Sequence, residues 1–99
     1  IGVVKARTVV EITRREDGAW LVHHEGEPVV IGAPHEALER GRAFAQQSAR
    51  QHCLEMGGAE LQARVAVARI NLPGRDDDEA LVAATITAEC TGAPRFDVD

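Results

Sequence analysis

From Val3 to Arg15 the chain alternates with a period of two: Ala6, Thr8, Val10 and Ile12 share one parity, and Lys5, Arg7, Val9, Glu11 and Thr13 the other. That period predicts a strand. Glu16-Asp17-Gly18 is a turn signal whose glycine can take positive φ, and alternation resumes from Ala19 to His24 with Trp20 and Val22 on one face. A second turn, Glu25-Gly26-Glu27-Pro28, leads into the short apolar run Val29-Val30-Ile31. The period then changes. Between Pro34 and Gly58, residues Ala37, Leu38, Gly41, Phe44, Ala45, Ser48, Ala49, His52, Cys53 and Met56 recur at three- and four-residue spacings, with charged and amide side chains filling the other turns. This predicts a single long amphipathic helix. Pro34 suits a first helical position, Glu36 and Glu39 place negative charge near the N-terminal end, and Gly57-Gly58 supplies a stop. The buried stripe is made of small residues. Gly41 in mid-helix costs about 1 kcal/mol relative to alanine, which predicts close approach to a flat partner such as a sheet.

Beyond the helix, Glu60 to Leu72 and Glu79 to Thr91 alternate again, separated by the loop Pro73-Gly74-Arg75-Asp76-Asp77-Asp78. Val82, Ala84, Ile86, Ala88 and Cys90 align on one parity of the last strand, and Gly92 to Asp99 reads as an irregular tail. The predicted architecture is a single α+β domain over residues 1–99: strands and helix in the order βββαββ, one five-stranded antiparallel sheet with the helix packed on one face. The helix would be roughly 35 Å long and ten-residue strands about 33 Å, so the two match for stacking. A helix about 10 Å wide covers about two of five strands spaced about 4.8 Å apart. The second hairpin is apolar on both parities. Val9, Ala66, Ala68, Ile70, Leu81 and Ala83 are therefore expected to form an interface closed by a second copy of the chain.

Composition narrows the functional classes. Hydrophobic residues at 44% and charged residues at 27% are ordinary for a folded domain, but aromatics make up only 3%, with Trp20, Phe44 and Phe96 and no tyrosine. The core must be aliphatic, and no set of rings is available for stacking nucleobases. A net charge of −5 also argues against a nucleic-acid partner. No window approaches the run of about 18 apolar residues needed to span a membrane, and the first residues lack the charged-then-apolar run of a signal peptide. Two cysteines, Cys53 and Cys90, are compatible with a disulfide but fit better as lone thiols in a reducing cytoplasm.

Of the four histidines, His23 and His24 are neighbours in a strand and point to opposite faces, while His35 and His52 are too far apart on the helix to share an ion. His24, His35 and Glu36 are the one conceivable metal or ligand set, near the helix start. Their spacing matches no metal motif, so no metal, cofactor or catalytic residue is assigned. His52 beside Cys53 is a base and thiol only in composition, since neighbouring helical side chains diverge by about 100°. Asp76 to Glu79 reads as a solvated hairpin tip without the calcium-loop spacing. Lys5, Arg7, Arg14 and Arg15 make the first strand basic, as a charge guard if it lies at an edge or as a weak anion or nucleic-acid patch.

Residues Val9 to Ala49 resemble HicB-like antitoxin domains and similar small uncharacterised bacterial domains of strand, strand, strand, helix order. The resemblance lies in Glu16-Asp17-Gly18-Ala19-Trp20 and in His35-Glu36-Ala37-Leu38-Glu39-Arg40-Gly41. The family's Thr-x-x-Glu-Ala helix opening corresponds here to Gly32 to Ala37, which keeps Glu36-Ala37 without the threonine. The resemblance implies a protein that binds and occludes a basic toxin partner. The chain carries no ribbon-helix-helix or helix-turn-helix segment after it. Three functional expectations result: a non-catalytic, self-associating interaction module of the bacterial cytoplasm; an antitoxin-like protein; and a metal- or ligand-binding enzyme subunit using His24, His35 and Glu36.

Overall fold

The computed structural model of the chain describes residues 4–55 and 58–94. Val3, the Met56-Gly57 end of the predicted helix, the side chains of Glu60, Leu61 and Ala63, and residues 95–99 lie outside the described residues. Strand β1 (Val4–Arg14) turns into β2 (Trp20–His23) at Gly18, which has φ +91°, and the Asp17 carboxylate accepts a hydrogen bond from the Ala19 N–H at 3.1 Å. Strand β3 (Val29–Ile31) precedes helix α1 (Pro34–Glu55), whose first turn is closed by the Ala37 N–H donating to the Ala33 carbonyl. Strand β4 (Gly58–Asn71) follows, then a single 3-10 turn over Asp78–Ala80, then β5 (Leu81–Pro94).

All pairings are antiparallel, and the sheet order is β3-β2-β1-β5-β4. The two hairpins expected from the sequence are joined by a central seam in which β1 pairs with β5 from Val4 opposite Gly92 to Thr13 opposite Ala83. Two expectations are corrected. Gly92, Ala93 and Pro94, read as tail, belong to β5 and pair with β4; the proline sits at the strand's last position, where its missing N–H is tolerated. Glu79 and Ala80, read as strand, lie in the 3-10 turn. The basic first strand is central in the sheet order, yet Lys5 and Arg7 fall in the stretch that β2 leaves unpaired on one side among the described residues, while Arg14 lies in the paired stretch.

Helix α1 packs chiefly on β1, β5 and β4 and only lightly on β2 and β3, so it rests on three strands, and one face of the second hairpin lies beneath it. Its buried residues Ala37, Gly41, Ala45, Ala49 and Cys53 recur at every fourth position, with Leu38 beside them. A row of small side chains at that spacing lets the helix backbone approach the sheet. A β-carbon on Gly41 would lie 2.6 Å from Ile86 Cδ1 and 2.9 Å from Ile12 Cδ1, so the glycine is required by the isoleucines below it. The sheet contributes Ala6, Val10, Ile12, Trp20, Val22, Ile31, Ala84, Ile86 and Ala88 to this core, with Val65 and Val67 packed at its margin.

Cys53 on α1 and Cys90 on β5 are joined by a disulfide, with Cα atoms 6.2 Å apart and both residues fully buried. The expectation of two lone thiols is thereby corrected: the four-residue stripe of α1 and the inward parity of β5 bring the two side chains face to face.

Candidate functional site

Residues opposite one another across an antiparallel ladder point to the same side of the sheet. The register therefore writes out the face turned away from α1 as a series of cross-strand rows. Ile70, Ala83, Thr13, Leu21 and Val30 form one row across all five strands; Ala68, Thr85, Glu11 and His23 form the next; Ala66, Thr87 and Val9 the third; Arg64, Glu89 and Arg7 the fourth. Five of the six residues expected at an interface, Val9, Ala66, Ala68, Ile70 and Ala83, share this open face. Ile70 is 62% exposed, Val30 53% and Val9 46%. Leu81 is not among them: it is 2% exposed and part of the core. The ladder is irregular between Ile70 and Asn71, where the 3-10 turn feeds β5, so strict alternation fails at that end.

The open face is more hydroxylated than its apolar count suggested. The Thr13 hydroxyl lies 2.8 Å from His23 Nε2, and Thr85 donates to the Glu11 carboxylate at 3.3 Å. Thr13, Thr85 and Thr87 thus lie on the two central strands beside Val9 and Ala83, with further aliphatic side chains on β2, β3 and β4.

The histidines take separate partners. His24 stacks on Phe44 with ring centroids 4.4 Å apart, and its Nε2 is shut off from solvent without a hydrogen-bond partner among the described residues. His35 at the helix start contacts Asp78 at 3.1 Å and Glu39 at 3.3 Å, and His52 lies 3.3 Å from Glu25. The candidate set His24, His35 and Glu36 is not brought together. Phe44, against which His24 packs, lies nine residues along α1 from His35, or about 13 Å of helix. Among the described residues no three histidine, cysteine, aspartate or glutamate side chains converge as a metal site.

The acidic loop is tied down rather than free. Arg75 holds Asp77 through two hydrogen bonds, and Arg69 donates to Asp78 at 2.8 Å and to the Asp77 carbonyl at 3.2 Å. The Arg75 guanidinium holds the Asp77 carboxyl below its usual range. Asp78 is lowered likewise by Arg69 and, secondarily, by His35. The β4–β5 turn is in this way latched to the first turn of α1, a contact between residues 43 positions apart that no local pattern announces.

The remaining feature is a step in the sheet. Strand β2 pairs with β1 only over Glu11 to Arg14, so on that side residues Val4 to Val10 of β1 have no neighbouring strand among the described residues. A cleft of about 180 Å³ lies along this edge beneath the plane of the sheet, lined by Thr8, Val10, His24, Phe44, Gln47 and Ser48, with Glu25 and Gln51 at its margin. Thr8 donates to the Ser48 hydroxyl across it at 3.3 Å. No protein-family model, curated protein or solved structure matches the chain, and no helix among the described residues is long and apolar enough to cross a membrane.

Proposed function

We propose that this chain is an interaction module that associates with a second copy of itself through the open face of its sheet. The observation that carries the reading is the one-sided cover: α1 closes one face, while Val9, Ala66, Ala68, Ile70 and Ala83 lie in adjacent rows on the other. Five strands about 4.8 Å apart and about 35 Å long, less the corner that β2 and β3 leave empty, give roughly 600 Å² per copy in flat projection. Side-chain relief brings that near the about 800 Å² per partner of a standard interface. Two copies related by a two-fold axis would present the same threonine belt to each other, and its hydroxyls, which both donate and accept, can pair across the axis.

We further place the module in an oxidising compartment rather than in the cytoplasm expected from its two cysteines, because a buried cross-link is characteristic of such surroundings. Sedimentation equilibrium tests the assembly. The wild-type protein is expected to dimerise in the micromolar range, and a Val9→Glu, Ile70→Glu double variant to remain monomeric with an unchanged circular dichroism spectrum, since both positions are exposed. A wild-type protein that stays strictly monomeric at high micromolar concentration removes the proposal.

A further inference from the structure

We propose that the stepped edge of β1 is a docking site for an acidic, extended peptide, which adds to the sheet as a short strand in line with β2. The inference rests on a different feature from the open-face dimer, the backbone edge of β1 that no described strand pairs with.

Backbone supplies the first part of the argument. Along Val4 to Val10, β1 is paired with β5 on one side and unpaired on the other among the described residues. Seven residues of open edge, about 23 Å, present a row of N–H and C=O groups in the arrangement that strand addition uses. Here β1 is laddered to β5, and β5 is cross-linked to α1 at Cys90, directly opposite Ala6. The other free edges fit less well. Strand β3 offers only Val29–Ile31, and the outer edge of β4 is irregular near both ends, at Glu60/Gln62 and Ile70/Asn71.

The surroundings define the peptide. Side chains of an added strand would alternate between the cleft and the open face. On the cleft side they would meet Phe44, Gln47, Ser48 and the Thr8 hydroxyl, with Glu25 at the margin, a lining without lysine or arginine that suits small neutral residues such as valine and threonine. His24, stacked on Phe44 where β2 ends, forms the end wall and sets the length at about six residues. On the open-face side the same strand would lie beside Lys5 and Arg7. Among the described side chains, Lys5, Arg7 and Arg64 cluster with one carboxylate, Glu89, and none of the three cations is in an ion pair with a described residue. Opposite charges facing each other across a ladder are favourable, so outward positions call for glutamate or aspartate. The protein's net charge of −5 does not cancel this, since charges more than a Debye length of about 8 Å away are screened at physiological salt. The basic first strand therefore gains a reading as an anion patch directed at carboxylates in an extended chain.

The test uses the intact protein and a blocked hexapeptide, Glu-Val-Glu-Thr-Glu-Val, followed by heteronuclear NMR with amide exchange. Saturable binding is expected, with amide protection appearing within Lys5 to Val10. Affinity should fall at least tenfold for the Lys-Val-Lys-Thr-Lys-Val peptide and for the Lys5→Glu, Arg7→Glu protein, whose altered positions are both exposed. An N-methylated acidic peptide, unable to donate to the ladder, should not bind. The proposal is overturned by equal binding of the lysine peptide, by protection on the outer edge of β4 instead, by no shift at millimolar peptide, or by β1 amides already protected through pairing with a second copy. Sedimentation of the same samples separates this outcome from that of the open-face dimer.

Discussion

Gly41 and Ile86 meet so closely that a methyl group on the glycine would stand 2.6 Å from the isoleucine Cδ1, and Ile86 is itself fully buried. The usual benefit of replacing a mid-helix glycine by alanine, about 1 kcal/mol, is here opposed by overpacking worth about 1–3 kcal/mol. Gly41→Ala is therefore expected to lower stability by about 1 kcal/mol in urea denaturation. The double variant with Ile86→Val, which removes the nearer of the two Cδ1 atoms that crowd this position, should be more stable than the sum of the two single changes. Additive effects would mean that the helix does not approach the sheet as described.

The Cys53–Cys90 link closes a loop between positions 37 apart. In the chain-entropy account a loop of that size is worth about 3–4 kcal/mol, all of it through the unfolded state. Reduction, or a Cys53→Ala, Cys90→Ala double variant, should lower the thermal midpoint substantially while leaving the native circular dichroism spectrum nearly unchanged below it. Thiol titration of the unreduced, denatured protein should find no free cysteine.

Acid should act first at the latch between the β4–β5 turn and α1. Because Arg69 and then His35 depress the Asp78 carboxyl, its contribution is complete above the ordinary aspartate value near 3.8 and disappears as pH falls through the lower native value. Asp78→Asn is expected to cost up to about 1 kcal/mol at pH 6, the scale of a largely exposed pair. The gap from wild type should begin to close below about pH 3.8 and vanish only below the lowered native value, where the wild-type carboxyl is neutral as well. Asp17, held at about 2 by Arg15 and the Ala19 N–H, follows the same sign at the β1–β2 turn and serves as an internal comparison in the same NMR titration. A difference between wild type and Asp78→Asn that persists unchanged at pH 2 would show that the substitution acts through something other than this charge.

Local pattern carried the elements well and their arrangement poorly. The helix was legible because its apolar spacing and its first residue agree, and Gly41 foretold the close sheet because a glycine there has no other rationale. Gly18 took the positive φ its turn required. The β1–β5 seam was not legible: it joins Glu11 to Thr85, 74 residues apart, and periodicity holds no record of which strand lies beside which. Leu81 was misplaced because alternation was carried through the irregular start of β5. The cysteines were read as lone thiols because the two side chains become neighbours only after helix and sheet are stacked. The step beside β1 escaped notice for a similar reason, since a strand's length can be read from sequence but the stretch of its neighbour left uncovered cannot.

That cross-link also decides how the molecule would yield if stretched. Val4 stands opposite Gly92, so a tether pulling on the two ends would open the central seam one rung at a time, like a zip, instead of shearing it. The second rung beyond that pair is Ala6 opposite Cys90, and there the load passes through sulfur into the far end of the helix. The stretch of 37 chain steps from Cys53 to Cys90 is then spared, and an oxidised molecule would pull out roughly 130 Å shorter than a reduced one.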